Sequence, residues 1–219
     1  MTPLLQSSRA EAGQVLYEPG DFVDHTYFPC GASLASFRIM LRDGSSVETA
    51  LVGREGAVGG IVSQGRLPAF ARAIVQFPGV FIKVETVKLE EAKMASLAIR
   101  HLFARYADCL FAQVFQATAC NATHSIEQRT AKWIISAMER TGDNNVPLTQ
   151  EQLAGMLGVG RSYVNRVIKR WQAEDIMKWR RGALEVKNFY ALKAHQCDCN
   201  SAVLEHFDQV LAGVYPPTA

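Results

Sequence analysis

The stretch from Thr149 to Trp171, TQEQLAGMLGVGRSYVNRVIKRW, admits few folds. Thr149 followed three residues later by Gln152 forms a capping box, and Leu148 with Leu153 supplies the flanking hydrophobic staple, so a helix begins at 149. Gly158 arrives after Leu157, and the GVG segment makes a tight turn before helical periodicity returns at Arg161. On a 3.6-residue wheel Val164, Val167, Ile168 and Trp171 share one face, while Ser162, Asn165, Arg166 and Lys169 share the opposite one. Two short helices joined by a glycine turn, the second apolar behind and cationic in front, make a helix-turn-helix.

The eleven residues 161–171 carry four cations and no anion. The chain as a whole has 23 Lys plus Arg against 21 Asp plus Glu, so the clustering is informative where the net charge of +2 is not. Residues 1–125 hold 11 basic and 11 acidic side chains, residues 126–189 hold 11 and 7, and residues 190–219 hold 1 and 3, which places the excess around this helix. A solvated basic face is one reading of such a run. A helix that enters a DNA major groove is the other, because positive charge is then gathered where phosphates crowd around it.

On the second reading Arg161 and Arg166 can each donate two hydrogen bonds to a guanine edge, Asn165 can pair with adenine, and Ser162 is permissive. Lys169 and Arg170 lie further along and meet phosphates, as do Thr149 and Tyr163. The following IMKWRRGALEV reads as two short strands around Arg181-Gly182, a basic hairpin that forms a wing and adds Arg181 to the DNA-facing set.

Upstream, residues 14–84 read as β structure. Runs such as QVLY, SLASFRIML, SVETALV and RAIVQF are separated by the turn signals EPGD, RDGS, GREG and FPG, which suggests a small barrel or sandwich. Asp43-Gly44 marks a hairpin. From Lys88 the pattern changes to a stretch without Pro or Gly, rich in Ala, Leu and Met, that predicts one long helix to about residue 120. Phe103, Tyr106, Leu110, Gln113, Ala117 and Cys120 form one stripe of it, while Leu102, Phe111, Val114 and Phe115 fall outside that stripe. Two apolar faces need two neighbours: the β domain of the same chain and the same helix of a second copy, in an isologous seam, with a helix buried inside a monomer as the alternative. NATHS, residues 121–125, reads as the hinge, and IEQRTAKWIISAMERTG as a further helix ending at the C-cap Gly142.

The stretch LTQEQLAGMLGVGRSYVNRVIKRW with RRGALEV resembles the winged helix-turn-helix of Crp/Fnr transcription regulators, and GQVLYEPGD, YFPCGASLASFRIMLRDGSSVETALVGREGAVGG and SIEQRTAKWI resemble that family's β-roll and the helix entering its DNA-binding domain. The resemblance implies an α+β fold. Its parts are an antiparallel β-roll sensor over residues 1–87, a dimerisation helix over 88–122, and a winged helix-turn-helix with a C-terminal extension over 123–219. It also implies a homodimer that binds a palindromic operator on double-stranded DNA and meets RNA polymerase. The family's base-reading positions fall on Arg161, Ser162 and Arg166. Ser162 stands where the catabolite-activator-like motif has Glu, which implies a different operator.

The resemblance also bears on the effector. In cyclic-nucleotide-binding members a Glu holds the ribose and an Arg-Ser pair the phosphate; here Ala57 occupies the Glu position, and Ala71 and Arg72 fall where Arg and Ser would be. Val114 and Phe115 fall where hydroxyls would contact adenine. Unpaired nucleotide groups would cost roughly 1 to 3 kcal/mol each, which argues against cyclic AMP and leaves Arg72 and Val114 as the effector-pocket candidates. An Fnr-type iron-sulfur cluster needs a cysteine group near the amino terminus, and no cysteine precedes Cys30. The effector stays open. The helix that the family places before GQVLYEPGD is short or missing.

Five cysteines, an odd number, argue against a disulfide framework. In HQCDCN, His195, Cys197 and Cys199 could bind zinc or copper, or the two thiols could be redox-active; a structural role is the alternative, as it is for Cys120 near the seam. His124 at the hinge could couple pH to domain orientation, with an ordinary exposed histidine as the alternative. No bilayer-spanning run and no secretory signal are read, so the expectation is a cytoplasmic protein without a membrane partner. An enzyme is the poorest reading, since G-x-x-x-x-G-K-[ST], H-E-x-x-H and G-x-S-x-G are all absent. A sensory module whose helix-turn-helix serves protein contacts stands between these classes.

Overall fold

The structure, a computed structural model, describes residues 4–61, 67–180 and 182–214. The described residues open with seven strands: β1 (Gln6–Ala10), β2 (Val15–Tyr17), β3 (His25–Pro29), β4 (Leu34–Met40), β5 (Ser46–Val52), β6 (Arg72–Phe77) and β7 (Gly79–Glu85). They form two antiparallel sheets, ordered β1-β7-β3 and β2-β6-β4-β5. Inward residues of both, including Ala35, Val52, Val75 and Phe81, make the core between them. The β4–β5 hairpin turns at Asp43-Gly44 as expected: Ser45 N donates to Asp43 Oδ1 at 2.9 Å and Gly44 takes a left-handed φ of 84°. The segment ahead of Gly13 forms β1 against β7, a strand at the place where the sequence reading has the preceding helix short or missing.

The long helix of the sequence reading is two helices, α1 (Thr86–Ala95) and α2 (Leu97–Thr123). The break is a change of cap chemistry at Ser96, which adopts an extended backbone, closes α1 through its N–H to Ala92 O, and accepts from Ile99 N to start α2. No Pro or Gly was needed to stop the helix, which is why composition missed it.

After the joint at His124-Ser125 come α3 (Ile126–Thr141), β8 (Asn145–Val146), α4 (Gln150–Leu157), α5 (Arg161–Ala173), β9 (Met177–Arg180), β10 (Ala183–Val186), α6 (Phe189–Ala194) and α7 (Cys199–Val210). Strands β8, β10 and β9 form the wing sheet. One core spans both halves of the chain, because Leu34, Leu51 and Phe77 of the roll join Trp133, Ile134, Met156, Ile168 and Trp171 of the helical part. The last helix leaves that part. Val203 and Phe207 of α7 pack with Phe103, Tyr106 and Cys109 of α2, so α2 gains a neighbour inside its own chain that the two-face reading did not foresee. Phe111 and Phe115 stay 53% and 69% exposed, their rings stacked at 6.0 Å, and keep the other face of α2 open.

Candidate nucleic-acid interface

The reading head is built by local chemistry. Thr149 Oγ1 accepts from Gln152 N at 3.1 Å while Thr149 N donates to Gln152 Oε1 at 2.7 Å, closing the capping box that starts α4. Gly158 ends it with a φ of 65°, a left-handed conformation that a side chain resists. Helix α5 then begins at Arg161, as its periodicity predicts. Val164, Ile168 and Trp171 are fully buried, and Arg161, Ser162, Tyr163, Arg166 and Lys169 are exposed on the opposite side. Arg161, Ser162, Tyr163, Asn165 and Arg166 line an open cleft.

The individual placements refine the sequence reading. Arg166 lies over the Tyr163 ring at 4.6 Å, which holds the guanidinium against the helix surface. Asn165 is half-buried and donates to Gln150 Oε1 at 2.8 Å, so it bridges the two helices and would have to exchange that bond to reach an adenine. Arg170 is exposed and salt-bridged to Glu127 of α3, so it would have to share or release that carboxylate to meet a phosphate. Thr149 is exposed, but its N–H is spent on the capping box, leaving only its hydroxyl to offer. In the wing, Arg180 pairs with Glu185 at 3.0 Å, and Arg181 lies outside the described residues.

Glu127 also receives His195 Nδ1 at 2.9 Å, and the His195 ring packs on Trp171 at 5.4 Å. His195 therefore braces the back of α5 and does not stand with the cysteine pair. Two residues from the far end of α2 stand there in its place. Cys120 Sγ lies 3.6 Å from Cys197 Sγ, and His124 Nδ1 lies 3.4 Å from Cys199 Sγ. The ligand atoms of Cys120, His124, Cys197 and Cys199 all fall within 4.8 Å of one another. Burial pushes the Cys197 thiol up to about 12, so in this state it packs as a neutral group. The i, i+4 spacing of Cys120 and His124 on one helix was a signal available in the sequence; its meeting with a pair more than seventy residues away was not.

The effector candidates do not converge. Arg72 Nε is paired with Glu18 Oε2 at 2.7 Å on the sheet, which gives its charge an internal partner. Val114 is half-buried on α2, and neither lines the apolar cavity of about 180 Å³ beneath the loop at 54–57. Phe28, Phe103 and Tyr106 line it, and Tyr106 donates its hydroxyl to Ala57 O at 3.3 Å. That loop is tied to the helical part: Glu55 Oε1 accepts from Gly53 N at 3.0 Å and from Arg140 Nε of α3 at 3.0 Å, with Arg140 only 5% exposed. A second tie joins β5 to α3. Trp133 Nε1 donates to Glu48 Oε1 at 2.6 Å and Gln76 Nε2 to Oε2 at 3.3 Å. Glu48 is half-buried as a residue with its carboxylate the enclosed end, and burial raises that carboxyl to about 7.

Residues 128–195 match the family of Crp-like helix-turn-helix domains. No curated protein matches the chain. Among solved structures, FixK2 from Bradyrhizobium japonicum superposes with a TM-score of 0.75 at 12% identity, over 89% of this chain and 98% of that one. TTHB099, a CRP-family transcriptional regulator from Thermus thermophilus, superposes with a TM-score of 0.72 at 17% identity, over 86% and 95%. The c-di-GMP responsive global regulator CLP of Xanthomonas campestris gives 0.66 at 14% identity, over 84% and 94%. At such identities these likenesses establish the fold, an antiparallel β-roll, a long helix and a winged helix-turn-helix. Residues 128–195 are thus a Crp-like helix-turn-helix domain, carried in a chain whose fold is that of these regulators.

Proposed function

We propose that the protein is a homodimeric, sequence-specific DNA-binding regulator that inserts α5 into the major groove of each half of a palindromic operator. The observation that carries this reading is the division of α5: Val164, Ile168 and Trp171 are fully buried behind, and Arg161, Ser162, Arg166 and Lys169 are exposed in front. Arg161 and Arg166 read base edges, Lys169 and the Thr149 and Tyr163 hydroxyls position the backbone, and Asn165 reads only after releasing Gln150. The stacked Phe111 and Phe115 on α2 supply the apolar seam for a second copy, which would set the two recognition helices about one DNA turn, roughly 34 Å, apart. Contact with RNA polymerase and residence in the cytoplasm belong to the same reading; no described helix is long and apolar enough to cross a membrane. Ala57 at the loop and the apolar lining beside it support an effector other than cyclic AMP, and no catalytic residue is assigned.

The test is selection of bound duplexes from a random pool, followed by a salt titration. Log affinity should fall linearly with log salt, by roughly 0.9 per phosphate contacted. Arg166→Ala should lose discrimination at one base position per half-site, at about 1 to 3 kcal/mol. Unchanged discrimination in that variant would remove Arg166 as a reading residue, and affinity independent of salt would remove the DNA reading altogether.

A further inference from the structure

We propose that Cys120, His124, Cys197 and Cys199 form a tetrahedral site for a soft divalent cation of the zinc class, clamping the end of α2 to the start of α7 across the joint at Ser125. The proposal deepens the regulator reading by naming a ligand class for it, but the site stands on its own geometry and does not require DNA binding.

The distances argue first. With Zn–S of about 2.3 Å and Zn–N of about 2.05 Å, the edges of a tetrahedron are about 3.8 Å between sulfurs and about 3.6 Å between sulfur and nitrogen. The measured edges are 3.6 Å for Cys120 Sγ to Cys197 Sγ and 3.4 Å for Cys199 Sγ to His124 Nδ1, with all four atoms inside 4.8 Å. A cation at the centre would need the longest edges, which reach no more than 4.8 Å, to close by up to about 1 Å.

The donor set argues next. Three thiolates and one imidazole form one of the closed sets that zinc adopts in structural sites, and soft sulfur disfavours magnesium and calcium. Cys120, Cys197 and Cys199 are only 0%, 4% and 4% exposed, while His124 is half-exposed and leaves an entry path. Gln116 Nε2 donates to Cys199 Sγ at 3.1 Å, the kind of outer hydrogen bond that orients a ligating sulfur. Small apolar packing alone would explain buried cysteines, but not an imidazole nitrogen turned toward their sulfurs.

The position gives the site a consequence. Cys120 and His124 close α2, and Ser125 caps α3, the first helix of the DNA-binding part. Cys197 and Cys199 lie beyond α6, at the other end of that part. A bound cation would join both ends of the DNA-binding part to α2 and narrow the orientations it can adopt about Ser125.

The full chain, purified under reducing conditions and freed of metal with a chelator, is titrated with Co²⁺ and then displaced with Zn²⁺. One equivalent of Co²⁺ per chain should bind with thiolate-to-metal charge-transfer bands and tetrahedral ligand-field bands, and Zn²⁺ should bleach both. Cys120→Ser and Cys199→Ser should lose the signal and His124→Ala should weaken binding at least tenfold. Cys30→Ser, Cys109→Ser and His195→Ala should leave it intact. Zn²⁺ should also raise the thermal unfolding midpoint of the native chain, and raise that of folded His124→Ala by less at the same concentration, a readout independent of DNA. Octahedral cobalt spectra, or full binding in Cys199→Ser with native circular dichroism, would overturn the site. So would alkylation and mass analysis showing that the reduced, folded chain binds no metal while Cys120 and Cys197 pair readily as a disulfide, which would make the cluster a redox couple. Loss of DNA binding with the cobalt spectrum retained would sink the regulator reading and spare the site.

Discussion

Glu48 makes the stability of the docked chain fall as pH rises. Its carboxylate, on β5, is enclosed against α3 and its pKa is raised from 4.5 to about 7, chiefly by burial, against which the bonds from Trp133 and Gln76 and the charges of Arg38 and Lys132 act only partly. The folded chain therefore holds a proton that the unfolded chain gives up between these two values. This acid has a raised folded pKa, so its contribution is complete below the unfolded pKa of 4.5 and is lost as pH rises through about 7. A gap of about 2.5 units corresponds to about 3 kcal/mol in total, of which about 2 to 3 kcal/mol is lost between about pH 5 and about pH 8. The perturbation is Glu48→Gln, which keeps an acceptor for Trp133 Nε1 and removes the titration; the Gln76 amide can turn to accept from the new NH₂. The assay is urea unfolding of both proteins at several pH values in that window. All other groups are common to both proteins and cancel in the difference. Wild type should lose about 2 to 3 kcal/mol relative to Glu48→Gln on going from about pH 5 to about pH 8. Parallel stability curves, or a wild type that gains on the variant with rising pH, would refute an enclosed, protonated Glu48.

Other consequences are as direct. Phe115→Glu, placed where the ring is 69% exposed and stacked on Phe111, should leave the fold intact and shift sedimentation toward the monomer; an unaltered association state would exclude this face of α2 as the seam. Arg140→Met leaves Glu55 without its guanidinium in a mostly buried setting, and calorimetry should show a loss of about 3 kcal/mol, largely recovered when Glu55→Gln is added. Ile168→Ala removes a fully buried side chain behind the cationic face and should cost about 2 to 5 kcal/mol of unfolding free energy, with DNA affinity per folded molecule little changed.

The helix-turn-helix was legible because its signals are local. The capping box of Thr149 with Gln152 and the turn glycines at 142 and 158 close within three or four residues, so the sequence states them outright; the box of Ser125 with Gln128 closes over the same distance and went unread in the hinge. The dry and cationic sides of α5 follow from the helical period alone. The hairpin at Asp43-Gly44 is legible for the same reason. Ser96 is the local signal that was overlooked, a serine cap within a run that composition favours as helix.

Long-range convergence is of another kind. Whether Trp133 finds Glu48, 85 residues away, or Cys120 finds Cys197, 77 residues away, depends on how the roll, α2 and α7 stack, and no periodicity encodes that. His195 shows the cost of judging by nearness in sequence: it sits beside the cysteine pair in the chain, yet the turn after α6 carries it to Glu127 and Trp171, while His124 arrives from the end of α2. The same packing decides which cations of α5 carry an internal partner, since Glu127 pairs with Arg170, itself still exposed. The sequence by itself determined α3, α4 and α5, the caps at Gly142, Thr149 and Gly158, and the sign of the charge on α5. Only the tertiary structure decided which side chains meet, because a cap bond forms within one turn of chain whereas a contact between distant residues exists only once the whole core has closed around it.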